Sequence, residues 1–118
     1  MRPQGPVHSA LAAKLQAHQD ATEPIQSWED LEHRFLYGEG YAQSTYQSVR
    51  SAAKIFFEWT AERYGAGHML HPVEIRPAHI ELFFDEQLKE HKPETVVTRV
   101  RQLKAFYRRF TALFPLFD

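Results

Sequence analysis

The sequence predicts an all-α protein, a compact four- to five-helix bundle with a partly ordered N-terminal extension. Apolar residues recur at helical spacing in four segments, and each of these segments opens with a helix-capping residue or a proline. No segment alternates apolar and polar residues as a strand does. A chain of 118 residues, of which 43% are hydrophobic, has enough material for one core but not for two.

Residues 1–26 are expected to form an extension that precedes a folded domain at residues 27–118. Prolines and a glycine flank one helix-favouring stretch, residues 9–19, in which Leu11 and Leu15 form the only apolar stripe. So thin a stripe does not hold a helix by itself. We therefore expect a short helix that either frays or docks on a neighbour.

The first two helices of the folded domain are predicted to start at serine caps. Ser27 precedes carboxylates in the first turn of a helix that should run from Trp28 to Tyr37. Ser44 and Gln47 fit a capping box, which predicts a second helix from there to Tyr64. Its inward face should comprise Tyr46, Val49, Ala53, Phe56, Phe57, Thr60 and Tyr64.

Two later helices each open at a proline, the residue that a first helical position tolerates best. They should run from Pro77 to His91 and from Pro93 to Pro115. Their predicted inward residues are Ile80, Phe83, Phe84 and Leu88, and then Val96, Val100, Leu103, Phe106, Tyr107, Phe110 and Leu113. Arg99 falls on the apolar side of the last helix, so we expect it either to extend its charged end to solvent or to pair with an acid of the third helix, such as Glu81 or Asp85.

Composition argues against several kinds of site. Without cysteine there are no disulfides or thiolate ligands, and no run approaches the roughly 20 apolar residues of a membrane span. Of seven histidines only His68 and His71 lie close together, without a recognisable third ligand, so we expect ordinary surface histidines. Phosphate loops and nucleophile elbows are also missing. We expect a cytoplasmic protein with no cofactor, metal, membrane or small-molecule substrate.

Two helices carry cations and hydroxyls on their outer faces, although the net charge is only -1. Residues 93–118 hold 5 Lys/Arg against 2 Asp/Glu, whereas residues 1–44 hold 3 against 6. The candidate DNA-binding residues are Ser44, Thr45, Gln47, Arg50, Ser51 and Lys54 on helix two, and Thr98, Arg101, Lys104 and Arg108 on helix four. Such faces suit phosphate contact, with Gln47 or Arg50 reaching base edges. Alternatively, the charges only keep two amphipathic helices soluble.

Several motifs follow one another along the chain: Ser44-Thr45-Tyr46, Arg50, Phe56-Phe57-Glu58-Trp59, Ile80-Glu81 and Phe84. Their order and spacing resemble the core-binding, SAM-like domain of tyrosine recombinases and phage integrases. The stretch 95–107 is similar to the final helix of that domain, in which a Thr-rich start precedes Leu-x-x-Phe-Tyr. The resemblance covers about residues 27–118.

The resemblance implies half of a C-shaped clamp around double-stranded DNA, with helices two and four toward the major groove. The first helix would contact a neighbouring recombinase protomer. Apart from Ser44, it assigns DNA contact to the same residues as the charge pattern does. Strand cleavage belongs to a second domain of the family, absent from this sequence, so the chain alone is not expected to cut or join DNA.

A second hypothesis is a helical protein-interaction domain, with Trp28, Leu36 and Tyr37 as its candidate interface residues. The DNA hypothesis depends on two strips, one around Arg50 and Lys54 and one around Arg101 and Arg108, sharing one side of the bundle as a joint positive surface. It would fail if the strips lay on opposite sides, or if packed neighbours buried either of them.

Overall fold

The computed structural model describes residues 6–36, 42–64 and 69–113. These residues form five α-helices and one 3-10 helix, and they contain no strand, which confirms the predicted all-α class. The helices are α1 (Pro6–Ala21), α2 (Trp28–Phe35), α3 (Gln43–Arg63), α4 (Pro77–Leu88) and α5 (Pro93–Leu113), and the 3-10 helix spans Pro72–Glu74. The predicted Tyr37 and the residues from 114 onward lie outside the described ranges.

The core forms around a central pair of helices, α3 and α5, which contact each other more extensively than any other pair in the described ranges. α2 packs on α3, and α4 packs on α5. Edge-to-face aromatic pairs join the helices, with ring centroids 5.8 Å apart for Phe57–Phe106, 5.1 Å for Phe56–Phe83 and 5.3 Å for Phe35–Phe110. Each such pair adds about 0.5–1.5 kcal/mol beyond the burial of its apolar area.

The predicted inward faces hold in the middle of the helices and fail at two helix ends. Tyr64 is 45% exposed and Leu88 is 38% exposed, so the predictions that they face the core are wrong. Tyr64 is the C-cap residue of α3, and Leu88 is the last residue of α4. Apolar periodicity gives the side of a helix that faces the core, but not the turn at which the covering helices end.

Ser27 caps α2 as predicted, because its Oγ accepts from the backbone N–H of Asp30 at 3.2 Å. The predicted cap at Ser44 is wrong. α3 begins at Gln43, with Ala42 at the N-cap and no side-chain cap. The earlier start adds a bond from the Tyr46 N–H to the Ala42 carbonyl, at 2.8 Å, in place of a cap worth about 1 kcal/mol.

The N-terminal extension forms a helix longer than the predicted 9–19 stretch. Leu11 and Leu15 do not dock, since they are 54% and 50% exposed. The helix is instead held at its C-terminal end by the guanidinium of Arg34, on α2. It donates to three backbone carbonyls, those of Asp20 (3.1 Å), Glu23 (2.8 Å) and Pro24 (3.1 Å).

The connector between α3 and α4 contains the 3-10 helix, which the sequence did not predict. His71 caps it, since its Nδ1 accepts from the Val73 N–H at 3.1 Å. The expectation of a surface histidine is wrong at this position, because the ring is 4% exposed and packs against Phe35. Tyr107 of α5 ties the segment down by donating its hydroxyl to the Pro72 carbonyl at 2.9 Å. His68 lies outside the described ranges.

Candidate nucleic-acid interface

An open groove of about 630 Å³ runs along the seam between α3 and α5. It brings together three of the predicted DNA-binding residues: Gln47 and Ser51 from α3, and Thr98 from α5. Their side chains are exposed. Residues that are about fifty positions apart in the sequence thus share one surface because α3 and α5 form the central pair.

Most of the groove lining is uncharged and able to form hydrogen bonds. Besides the predicted residues, Ser48, Thr95 and Gln102 contribute hydroxyls and an amide, and Ala52 and Ile55 contribute apolar surface. The charged lining residues are Glu94 and Arg99. Sequence reasoning missed Thr95 and Gln102 because it searched for cations. The available signal was their spacing of three and four residues from Thr98, which places them on one side of a helix.

The three cations predicted on α5, Arg101, Lys104 and Arg108, are all exposed. None of them forms a salt bridge with a residue in the ranges that the structure describes. Lys104 leans toward α4, because it lines a second depression together with Ile80 and Phe84. Arg101 and Arg108 are the two exposed cations of this strip that do not line that depression.

Arg50 points away from the groove, toward α2. Its Nε donates to Glu32 Oε2 at 2.6 Å, and its guanidinium lies 5.9 Å from the ring centroid of Trp28. The hydroxyl of Tyr46 donates to the same carboxylate oxygen. Arg50 is half-buried, with 33% of its side chain exposed. The residue predicted to reach base edges thus has a partner within the domain, and its role in DNA contact stays a prediction.

The Glu32 carboxyl is held in its charged form by these neighbours. Partial burial raises its pKa, but the hydrogen bonds from Arg50 and Tyr46 and the charge of Lys54 outweigh that effect, so the pKa lies below its ordinary value. The hydrogen bond to Glu32 in turn raises the pKa of Arg50. A guanidinium that is paired with a carboxylate attracts a phosphate less strongly than an unpaired guanidinium does.

The two basic strips do not form the joint positive surface that the sequence predicted, so this expectation is wrong. Arg50 and the half-buried Lys54 lie along the α2 side of α3, while Gln47 and Ser51 line its α5 side. Arg101 lies beyond the groove, one turn after Thr98 on α5. The arrangement is a neutral groove with cations on either side of it.

Ser44 and Thr45 complete the predicted set. Both are exposed in the first turn of α3, and neither lines the groove. The Ser44 carbonyl accepts from the hydroxyl of Ser48 at 3.2 Å. Ser44 thus lies one turn before Gln47 and Ser48, next to the end of the groove.

Arg99 contacts α4, the helix expected to hold its partner, but it bonds to a different residue from those expected. Its Nη1 donates to Oε1 of Gln87 at 2.5 Å, so the expected pairing with Glu81 or Asp85 is wrong. Gln87 lies on the side of α4 that borders α3 near Trp59. Glu81 lies on the other side, beside Val100, and therefore does not meet the guanidinium.

Two of the three residues named for a protein interface are buried. Trp28 and Leu36 are 2% and 0% exposed, so both belong to the core, and Tyr37 lies outside the described ranges. The described residues hold no group of three or more His, Cys, Asp or Glu side chains placed to bind a metal ion. Nor does any helix within those ranges have the length and apolar character needed to cross a membrane.

Two long packed helices that present a neutral groove beside exposed cations define a small helical domain with a candidate binding surface. A family model described as "Phage integrase, N-terminal SAM-like domain" matches residues 30–112, which is more than half of the chain. The chain belongs to this family, as the motif resemblance predicted. The match starts within α2 and so excludes α1. Neither the curated proteins nor the solved structures gave a match.

Proposed function

We propose that this chain is the DNA-binding, core-binding domain of a site-specific tyrosine recombinase, and that it grips one side of a recombination half-site through α3 and α5. Strand cleavage and joining would be the work of a separate C-terminal domain. The observation that carries the proposal is the groove that unites Gln47, Ser51 and Thr98 beside the exposed Arg101 and Arg108. Family membership supports the same function.

The distribution of chemical groups suits a duplex. Exposed cations on α5 neutralise phosphates and release counterions, which supplies affinity without sequence preference. Uncharged donors and acceptors in the groove suit base edges, which carry the sequence information. Since the net charge is only -1, we expect weak binding that falls steeply as salt rises.

An acidic depression between α3 and α4 limits where the duplex can lie. Its lining includes the carboxylates of Glu58, Glu62, Glu86 and Glu90. Glu86 is paired with Arg63 at 2.9 Å, but the charges of Glu58, Glu62 and Glu90 repel phosphates, so the backbone of the DNA is expected to avoid the second half of α3. Contact should therefore concentrate on the first half of α3 and on the outer face of α5.

The proposal includes the partners that the family implies. Double-stranded DNA is the ligand, and other recombinase protomers bind the adjoining half-sites. The domain works in the cytoplasm, where the DNA substrate is present, and it needs no cofactor of its own.

The test is a titration of the full 118-residue chain against a labelled duplex at about 50 mM and about 200 mM salt. Arg101→Glu and Arg108→Glu should each weaken binding about tenfold or more and reduce the salt dependence. Lys89→Glu is the matched control, because Lys89 is also exposed but lies at the end of α4. Affinity that is independent of salt, or equal losses for the control and Arg101→Glu, would contradict the proposal.

A further inference from the structure

Two glutamine amides in the groove between α3 and α5 are available for a ligand. Gln47 is exposed on α3 and Gln102 is half-buried on α5. In the part of the chain that the structure describes, neither side chain makes a hydrogen bond. Each amide therefore offers one acceptor oxygen and two N–H donors.

The groove lacks an available arginine or lysine for guanine. In the major groove of DNA, guanine O6 and N7 are read by arginine or lysine, whereas adenine N6 and N7 match the amide of glutamine. Arg99 is the one cation among the described lining residues, and its guanidinium is held by Gln87 of α4. Arg101, on the outer face, is outside the lining.

The apolar part of the groove suits the partner base of adenine. Thymine carries a C5-methyl group in the major groove, which makes favourable contacts with apolar side chains and with the methyl of threonine. Ile55 on α3 and Thr98 on α5 supply such surface, whereas Ala52 is only 4% exposed. Glu94 is exposed in the first turn of α5, where the helix dipole favours its negative charge. The Glu94 carboxylate competes with the two amides in selecting a base pair, because a carboxylate accepts a hydrogen bond from the N4 amino group of cytosine.

We infer that this groove reads an A·T base pair, with Gln47 and Gln102 as the specificity-determining residues. Either amide accepts from adenine N6–H and donates to N7, while the apolar surface contacts the thymine methyl. The inference rests on the proposed function, since it requires the groove to face a duplex. It adds the base pair that is selected and the residues that select it.

The experiment is a selection from a random-sequence duplex library by the full chain at about 50 mM salt, followed by sequencing of the retained DNA. The wild-type pool should be enriched in A·T at one or more positions. Gln47→Ala or Gln102→Ala should lower the A·T over G·C ratio at such a position about fivefold or more, since a good bidentate contact discriminates by about 1–3 kcal/mol. Affinity for the unselected library should change less than about twofold, because phosphate contacts remain.

Two further variants sharpen the result. Gln43→Ala is the matched control, because Gln43 is an exposed glutamine of α3 outside the groove, and it should leave the selected sequences unchanged. Gln47→Arg should move the preference toward guanine. Thermal melts of every variant show that the fold is kept.

The outcomes separate the inference from the proposed function. If the wild-type chain retains no DNA at all, the proposed function fails and this inference fails with it. If DNA is retained without any enriched base pair, or with a preference that both alanine variants keep, the inference fails and DNA binding stands. Cytosine enrichment that is lost in Glu94→Gln would assign the readout to Glu94 and overturn the role of the glutamines.

Discussion

Glu32 on α2 and Arg50 on α3 form an ion pair, with 2.6 Å between Oε2 of the carboxylate and Nε of the guanidinium. Tyr46, one turn before Arg50, donates to the same carboxylate oxygen. The pair is half-buried and lies beside the Trp28 ring. It fixes α2 against the helix that carries half of the candidate interface, which makes Arg50 a structural residue within the free domain.

Removing the pair should therefore reduce stability more than DNA affinity. We expect Arg50→Ala to lower the free energy of unfolding by about 1 kcal/mol, a value reduced because a third of the side chain is exposed. Urea unfolding measures it, with Lys89→Ala, at an exposed cation at the end of α4, as the control. DNA affinity should change less than about threefold. A tenfold loss of affinity in a variant that remains folded would instead place Arg50 on the DNA.

The same pair makes stability depend on pH. Because the folded pKa of Glu32 lies below its ordinary value of 4.5, its contribution is present above that value and is lost as the pH falls through the lowered pKa. The stability difference between wild type and Glu32→Gln should thus be constant above about pH 5 and shrink below about pH 4. Urea unfolding at a series of pH values measures it. A difference that grows on acidification would contradict the assigned sign.

The hydrogen bonds from Arg34 to backbone carbonyls at the end of α1 predict a local loss of protection when Arg34 is removed. Arg34→Ala should free α1, since three backbone carbonyls lose their donor. Hydrogen exchange should accelerate about tenfold or more in α1 while α3 and α5 keep their protection. Glu29→Ala serves as the control on α2. Equal acceleration in α5 would show that Arg34 supports the whole bundle rather than the extension.

The bond between Tyr107 and the 3-10 helix also has a measurable consequence. Tyr107→Phe removes the donor to the Pro72 carbonyl, and we expect a loss of about 1 kcal/mol in the free energy of unfolding. Burial raises the pKa of Tyr107, because the charged phenolate is disfavoured away from water. Tyr64→Phe, at an exposed ring, is the control. Equal effects of the two substitutions would contradict the role of this hydrogen bond.

Local signals were sufficient for much of the fold. The cap at Ser27 and the prolines at positions 77 and 93 predicted three helix starts, because caps and prolines act within one turn. The apolar spacing of α3 and α5 predicted the buried Phe56 and Phe106. The 3-10 helix was missed because its cap at His71 is not a usual capping residue and its anchor on Tyr107 is 35 residues away.

The candidate site was harder to predict because it depends on contacts between helices. Periodicity placed Arg50 on the polar side of its helix, but its partner Glu32 is 18 residues away on another element. Gln102 was missed because its spacing from Thr98 shows only that the two share one side of α5, and that side becomes a groove only once its packing against α3 is known. Charge alone therefore located the strip on α5 and overstated the strip on α3.

The most direct test of the proposed function is chemical-shift mapping of the isotope-labelled chain with a DNA duplex at low salt. We expect the perturbed amides to cluster at the first half of α3, around Gln47 and Ser51, and along the outer face of α5, around Thr98 and Arg101. The acidic side between α3 and α4, around Glu62 and Glu90, should stay unperturbed. Shifts that centre on that acidic side, or no shifts at a duplex concentration that saturates electrostatic binding, would contradict the account.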